Sequence, residues 1–258
     1  MSQQSQPLRK LGAGAPVVAM FVAVCCATYA LAALLGRSVS NPVRTPADWG
    51  WDFLLDAGRM EAYGQWWRPL SAAFIHLDPA HLFFNMFLIF LIGRELEQYY
   101  GSVVVGWSML AAASGGALAC LVMQPEVPMG GASTIGYAFC VMLIGLAFVR
   151  KQGLVAPFVL LAVNFGYTFF AGGVSLWGHV GGAVTGAVIA VLLAGGGRVR
   201  GRRLRGQGIR GSGLRERGLG GRGRMASERL VVGPGLAGFA VALTVFTCWA
   251  GVTGFFWH

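Results

Sequence analysis

Seven apolar runs dominate this sequence, each close to the length a helix needs to cross a bilayer. They lie at roughly 14–35, 80–97, 102–123, 132–149, 154–171, 174–195 and 231–256. A helix spans the hydrocarbon core with ~20 predominantly apolar residues. Inside lipid, every backbone polar group must be bonded within its own segment or barrel. The runs therefore predict an all-α, polytopic membrane protein. Composition agrees: 55% of residues are hydrophobic and 12% are charged, roughly half the charge of an ordinary soluble domain.

The runs are unevenly spaced, and the spacing predicts an organisation. Residues 1–13 form a polar N-terminal tail. A first helix follows, read as retained because its apolar run is too long for a signal-peptide core. A long segment, 36–79, separates it from the second span and carries Trp49, Trp51, Phe53, Tyr63, Trp66 and Trp67 among acids and prolines. Amphipathic aromatics of this kind suit a membrane–water interface, so this loop is expected to fold against the outer leaflet. Six spans close a core over 14–195. A linker over 196–230 then leads to a seventh helix within 231–258.

Charge orients this arrangement. Eleven of the twenty basic residues fall between Arg198 and Arg229. With the tail basic pair Arg9 and Lys10 inside, the linker, Arg94, Arg150 and Lys151 also fall inside, as the positive-inside rule requires. The 36–79 loop then lies outside with a slightly acidic balance. The net charge of +10 is thus read as topology and attraction to anionic lipid at the linker, and nucleic-acid binding is not expected.

The five cysteines, Cys25, Cys26, Cys120, Cys140 and Cys248, all sit within apolar runs and read as small hydrophobes. No Cys/His spacing suggests a metal, and no cofactor is expected.

Polar side chains at membrane depth are costly and mark function. His81, Asn85, Ser133 and His179 each fall near the outer end of a span, so the topology places them in one layer. A serine hydroxyl becomes a useful nucleophile when a base takes its proton, and histidine is the usual base. Ser133 and His179 could form that pair. His81 and Asn85, spaced i, i+4, project from one helical face and could donate to an oxyanion. No acid lies at that depth in the inner helices, which points to a dyad. Tyr137, i+4 from Ser133, could pack its ring on His179. The bland readings are a serine bonded to its own helix, packing histidines, and Asn85 as interhelical glue. Agreement of depth, residue type and order favours a shared site. Gly178, Gly182 and Gly186 add a flat helical face that permits close approach.

These residues carry a resemblance. The sequence resembles the rhomboid family of intramembrane serine proteases over roughly residues 15–195. Trp67-Arg68 looks like the family's Trp-Arg pair. His81 through Asn85 looks like its His-x-x-x-Asn. Glu97 and Gly101 fit the acid and glycine that end the second helix. Gly131-Ala132-Ser133 looks like the start of Gly-x-Ser-Gly, and His179, Gly182 and Gly186 look like His-x-x-Gly-x-x-x-Gly. The resemblance implies a six-helix bundle, here with an extra C-terminal transmembrane helix. It implies Ser133 as nucleophile, His179 as general base, and His81 and Asn85 lining an oxyanion hole helped by the Ser133 backbone N–H. It implies cleavage of transmembrane or juxtamembrane segments of membrane proteins, from a cavity open to the outer face. A compact chain without a transit peptide or large extra domain suggests a prokaryotic plasma or inner membrane.

Thr134 stands where the family has glycine, and a β-branched residue is stiffer. That departure motivates the alternative of a rhomboid-like protein that binds transmembrane clients without cutting them. A transporter is disfavoured, since there is no internal repeat and no buried carboxylate at the midplane. Arg68 is expected to bond loop carbonyls or lipid phosphate, or to act as a simple interfacial anchor.

Overall fold

The computed structural model describes residues 14–170, 175–206 and 220–256; for 164, 165, 167–170, 196–206 and 220–233 it describes the backbone only. The 1–13 tail, the 171–174 loop, the centre of the linker and all the linker arginine side chains lie outside the described residues.

Long helices form where the apolar runs lie: α1 (Pro16–Leu35), α4 (Pro79–Tyr100), α5 (Ser102–Met123), α6 (Ser133–Arg150), α7 (Val155–Phe170), α8 (Leu176–Gly206) and α9 (Gly220–Thr253). Between α1 and α4 lie two short helices, α2 (Ala57–Tyr63) and α3 (Arg68–Ser71), and 3-10 turns at Trp49–Phe53 and Ala72–Phe74. Among the described residues, six of the long helices are long and apolar enough to cross a membrane. The described part of α7 has 16 residues, a length of ~24 Å. The protein is thus an integral membrane protein of helical, polytopic fold. Helix α8 continues to Gly206 and α9 begins at Gly220, so both extend into the 196–230 stretch.

Local chemistry sets the helix ends. Asp78 caps α4, its carboxylate accepting the His81 N–H at 2.8 Å, with Pro79 at the first turn. This is the standard way of satisfying an orphan donor. Gly101, at φ 90°, ends α4. The start of α1 has no cap of its own. Glu97 from α4 supplies it, accepting the Val17 and Val18 N–H groups at 3.0 and 2.9 Å and the Ser102 hydroxyl at 2.6 Å. That carboxylate is buried and joins three helices at one end of the bundle.

At the centre is α5, with a run of small buried residues from Ala111 to Ala117. Against it and against α6 packs α8. Phe139, Met142 and Leu146 of α6 fill the core. The last helix, α9, lies on α5, joined by a Ser114–Thr244 hydroxyl contact of 2.7 Å and by the Thr247 hydroxyl donating to the Ser114 carbonyl at 3.3 Å. Its end also reaches α2, where Gly251 seats the Met60 side chain.

The 36–79 segment is folded. Arg68 is fully buried within it. Its guanidinium donates to the carbonyls of Trp51 and Leu54 at 2.9 and 2.5 Å and to Gln65 at 2.6 Å. Of the roles expected for Arg68, the loop-carbonyl one holds, and its burial rules out lipid phosphate or simple anchoring. Desolvation lowers its pKa, and the carbonyls compensate the buried charge.

Candidate active site

Ser133 is the first residue of α6, where helix geometry leaves backbone N–H groups without intrahelical partners. The segment leading into it is held to the outer loop. Leu55 and Met129 exchange backbone bonds of 2.8 and 2.9 Å, and the Gly131 N–H donates to the Ala72 carbonyl at 2.9 Å. The segment immediately before the nucleophile candidate is therefore held in place by the outer loop.

Ser133 Oγ lies 2.9 Å from His179 Nε2. His179 is buried on α8, and the Tyr137 ring stacks on the imidazole with centroids 4.2 Å apart and an interplanar angle of 23°. The approach of α8 to α6 depends on glycine. A side chain at Gly182 would strike the Thr134 carbonyl, and one at Gly186 the Ala138 backbone.

Two residues before Ser133, the structure places His81 and Asn85 beside Gly131. A Cβ on Gly131 would come within 2.7 Å of His81 Nε2 and 3.6 Å of Asn85 Nδ2. Both nitrogens are buried and, among the described residues, have no hydrogen-bond partner. Buried orphan donors are rare in folded proteins. Two of them converging beside a candidate nucleophile form an arrangement able to bind an oxyanion. A cavity of about 40 Å³, lined by Ser133, Thr134, Gly131, Cys120, Ser175 and Gly178 among others, adjoins the serine. Thr134 presses its γ-methyl against Gly116 of α5.

One residue of this neighbourhood has no counterpart in the sequence reading. His76 is buried in the turn before α4, and its Nε2 accepts the Ala132 N–H at a long 3.4 Å. Its ring lies 5.2 Å from that of His81. Burial first, and the neighbouring His81 second, push its pKa down to about 3. It falls outside the apolar runs, so a search for polar residues at membrane depth passes over it. The FIHLDPAH spacing, with two histidines five apart, was the available signal.

Comparison with known proteins gives the family. The rhomboid domain model matches residues 63–196. The chain is 31% identical over 137 residues to rhomboid protease GluP of Bacillus subtilis (strain 168), covering 51% of this chain and 27% of that one. It is 30% identical over 139 residues to rhomboid-like protease 1 of Toxoplasma gondii, covering 50% and 47%. With RHOMBOID-like protein 7 of Arabidopsis thaliana it shares 29% over 177 residues, 63% and 56%. The matched regions amount to less than two thirds of the length of each of these relatives. Because the domain model takes in half of the sequence, with His81, Asn85, Ser133 and His179 inside its span, the chain belongs to the rhomboid family.

Proposed function

We propose that this protein is an intramembrane serine endopeptidase that cleaves transmembrane or juxtamembrane segments of membrane proteins with a Ser133–His179 dyad. The observation that carries the reading is the 2.9 Å contact between Ser133 Oγ and His179 Nε2, flanked by the orphaned donors of His81 and Asn85. Relatives named as proteases support it.

The chemistry follows from the positions. His179 Nε2 takes the Ser133 proton as Oγ attacks the scissile carbonyl carbon. The oxyanion that forms accepts bonds from His81, Asn85 and the Ser133 N–H. The imidazolium returns its proton to the departing amine, leaving an acyl-serine. Water then attacks, giving its proton to His179, which passes it to Ser133 Oγ as the acyl–oxygen bond breaks and the acid is released. Tyr137 holds the imidazole plane through both steps. In this reading the site opens to the outer face of a prokaryotic plasma membrane, with the linker over 196–230 inside and its arginines against anionic lipid.

The alternative, a client-binding protein without activity, rests on Thr134. The seating of its methyl against Gly116 gives that residue a packing role compatible with catalysis. Labelling by a fluorophosphonate probe separates the two readings, because such probes react with a base-activated serine. Labelling in wild type that is lost in Ser133→Ala and in His179→Ala is the expected result. Folded wild-type protein that does not label, beside an active rhomboid control, would establish the client-binding reading instead.

A further inference from the structure

The end of the bundle opposite Ser133 carries a second built feature. Where α4 and α6 finish, an open cavity of about 430 Å³ is lined by Arg94, Glu95, Gln98, Tyr99 and Arg150, with Phe90 and Leu91 on its membrane side. We propose that this cavity binds the phosphate of an anionic membrane lipid.

Three observations converge. The first is an unmet donor: Arg94 Nε is buried and, among the described residues, has no hydrogen-bond partner. A guanidinium presents several donors in a fixed fork suited to phosphate, so an orphaned Nε at a cavity wall marks a missing acceptor. The second is charge. Arg150 is held by Glu95 at 3.2 Å and lies 4.8 Å over the Tyr99 ring. Two arginines and one glutamate leave the cavity one positive charge. The third is the surface leading to it. Phe87 and Leu91, one turn apart on α4, are 58% and 53% exposed, and Phe148 and Val149 on α6 are 67% and 50% exposed. Leu91 also lines the cavity, so this apolar surface adjoins it. An acyl chain on that surface places its own headgroup phosphate at Arg94. A free anion would gain nothing from it. The volume falls in the ~300–1,000 Å³ class of small-molecule sites, enough for a phosphate with its glycerol. The positive-inside pattern that includes Arg94 and Arg150 places this end at the leaflet where anionic lipid is enriched. This site is separate in sequence from the arginines of the linker and does not depend on protease activity.

The test uses the full chain, delipidated in neutral detergent and titrated with dioleoyl phosphatidylglycerol, dioleoyl phosphatidylcholine or inorganic phosphate. Native mass spectrometry reads bound lipid, and tryptophan fluorescence reads the melting temperature. Tight phosphatidylglycerol binding is expected, weakened about fivefold in Arg94→Gln and again in Arg150→Gln, the scale of one basic residue at a lipid surface. A linker variant, Arg202→Gln with Arg203→Gln, retains this component. Should Arg94→Gln fail to fold, Arg150→Gln, on the exposed rim, carries the test alone. Equal binding of phosphatidylcholine, equal competition by inorganic phosphate, or unchanged phosphatidylglycerol affinity in folded arginine variants would each overturn the proposal.

Discussion

Gly131 and His81 touch with no room between them. A Cβ on Gly131 would lie 2.6 Å from His81 Cε1 and 2.7 Å from Nε2, and the glycine sits at φ 130°, a region that side chains rarely adopt. Gly131→Ala therefore has two effects: it strains the turn into α6 and pushes His81 from the space beside Ser133. If that space holds the oxyanion, the variant loses about 10²–10³ in the rate of fluorophosphonate labelling, the size of one lost oxyanion donor. Unchanged labelling kinetics would remove His81 from the reaction.

The packing of α6 against α5 and α8 yields a second prediction. Thr134 Cβ lies 2.6 Å from where a Cβ on Gly116 would be, so the two positions share one volume. Thr134→Gly empties it and adds backbone freedom, costing ~1–2 kcal/mol. Gly116→Ala overfills it, costing ~1–3 kcal/mol. The double variant is expected to recover most of both losses, since residues in contact couple. Thermal unfolding of the four proteins measures that coupling, and additive losses would show that the two sites are independent. Gly182→Ala has no such partner: its methyl meets the Thr134 backbone, so it should part α8 from α6 and abolish labelling.

These contacts also show how far sequence reaches here. The long helices were legible because lipid demands continuous apolar runs, and α5 follows its run over 102–123 from end to end. Ser133, His179, His81 and Asn85 were legible because polar atoms at that depth are expensive. The match of Gly116 to Thr134 was not, since it pairs two residues on different helices that hydropathy treats alike. The folding of 36–79 was only half legible. Its aromatics announced an interface, but the burial of Arg68 by two carbonyls depends on backbone geometry. The seventh helix shows the same limit: apolarity announces a span, whereas its contact with Ser114 through Thr244 and Thr247 arises from packing.

His76 provides a prediction in pH. Burial holds its pKa near 3, below the ordinary 6.5. The unfolded chain takes up the proton first as pH falls, so the stabilisation present above ~6.5 is lost progressively toward 3. Between pH 7 and 4.5 the wild-type melting temperature should fall. A proton that the fold refuses over that interval is worth ~2–3 kcal/mol, and each kcal/mol moves the melting temperature of a chain this long by ~2–4 °C. His76→Gln, which keeps a neutral acceptor for Ala132, should therefore fall at least ~5 °C less than wild type. Parallel profiles for the two proteins would mean that His76 is not held neutral by the fold.

Glu97 supports a last prediction, on stability and not chemistry. Its two carboxylate oxygens take the first free N–H groups of α1 and the hydroxyl that opens α5, so one side chain of α4 closes two helix starts. Glu97→Ala leaves the Val17 and Val18 donors without acceptors in a buried place, a loss of ~3 kcal/mol. Glu97→Gln keeps one oxygen and the same shape, and should cost about 1 kcal/mol. The site around Ser133 lies at the other end of α4, so labelling per folded molecule should be unchanged in both. Reduced labelling at full folding would instead connect the start of α1 to the position of His81, along the helix that carries both His81 and Glu97.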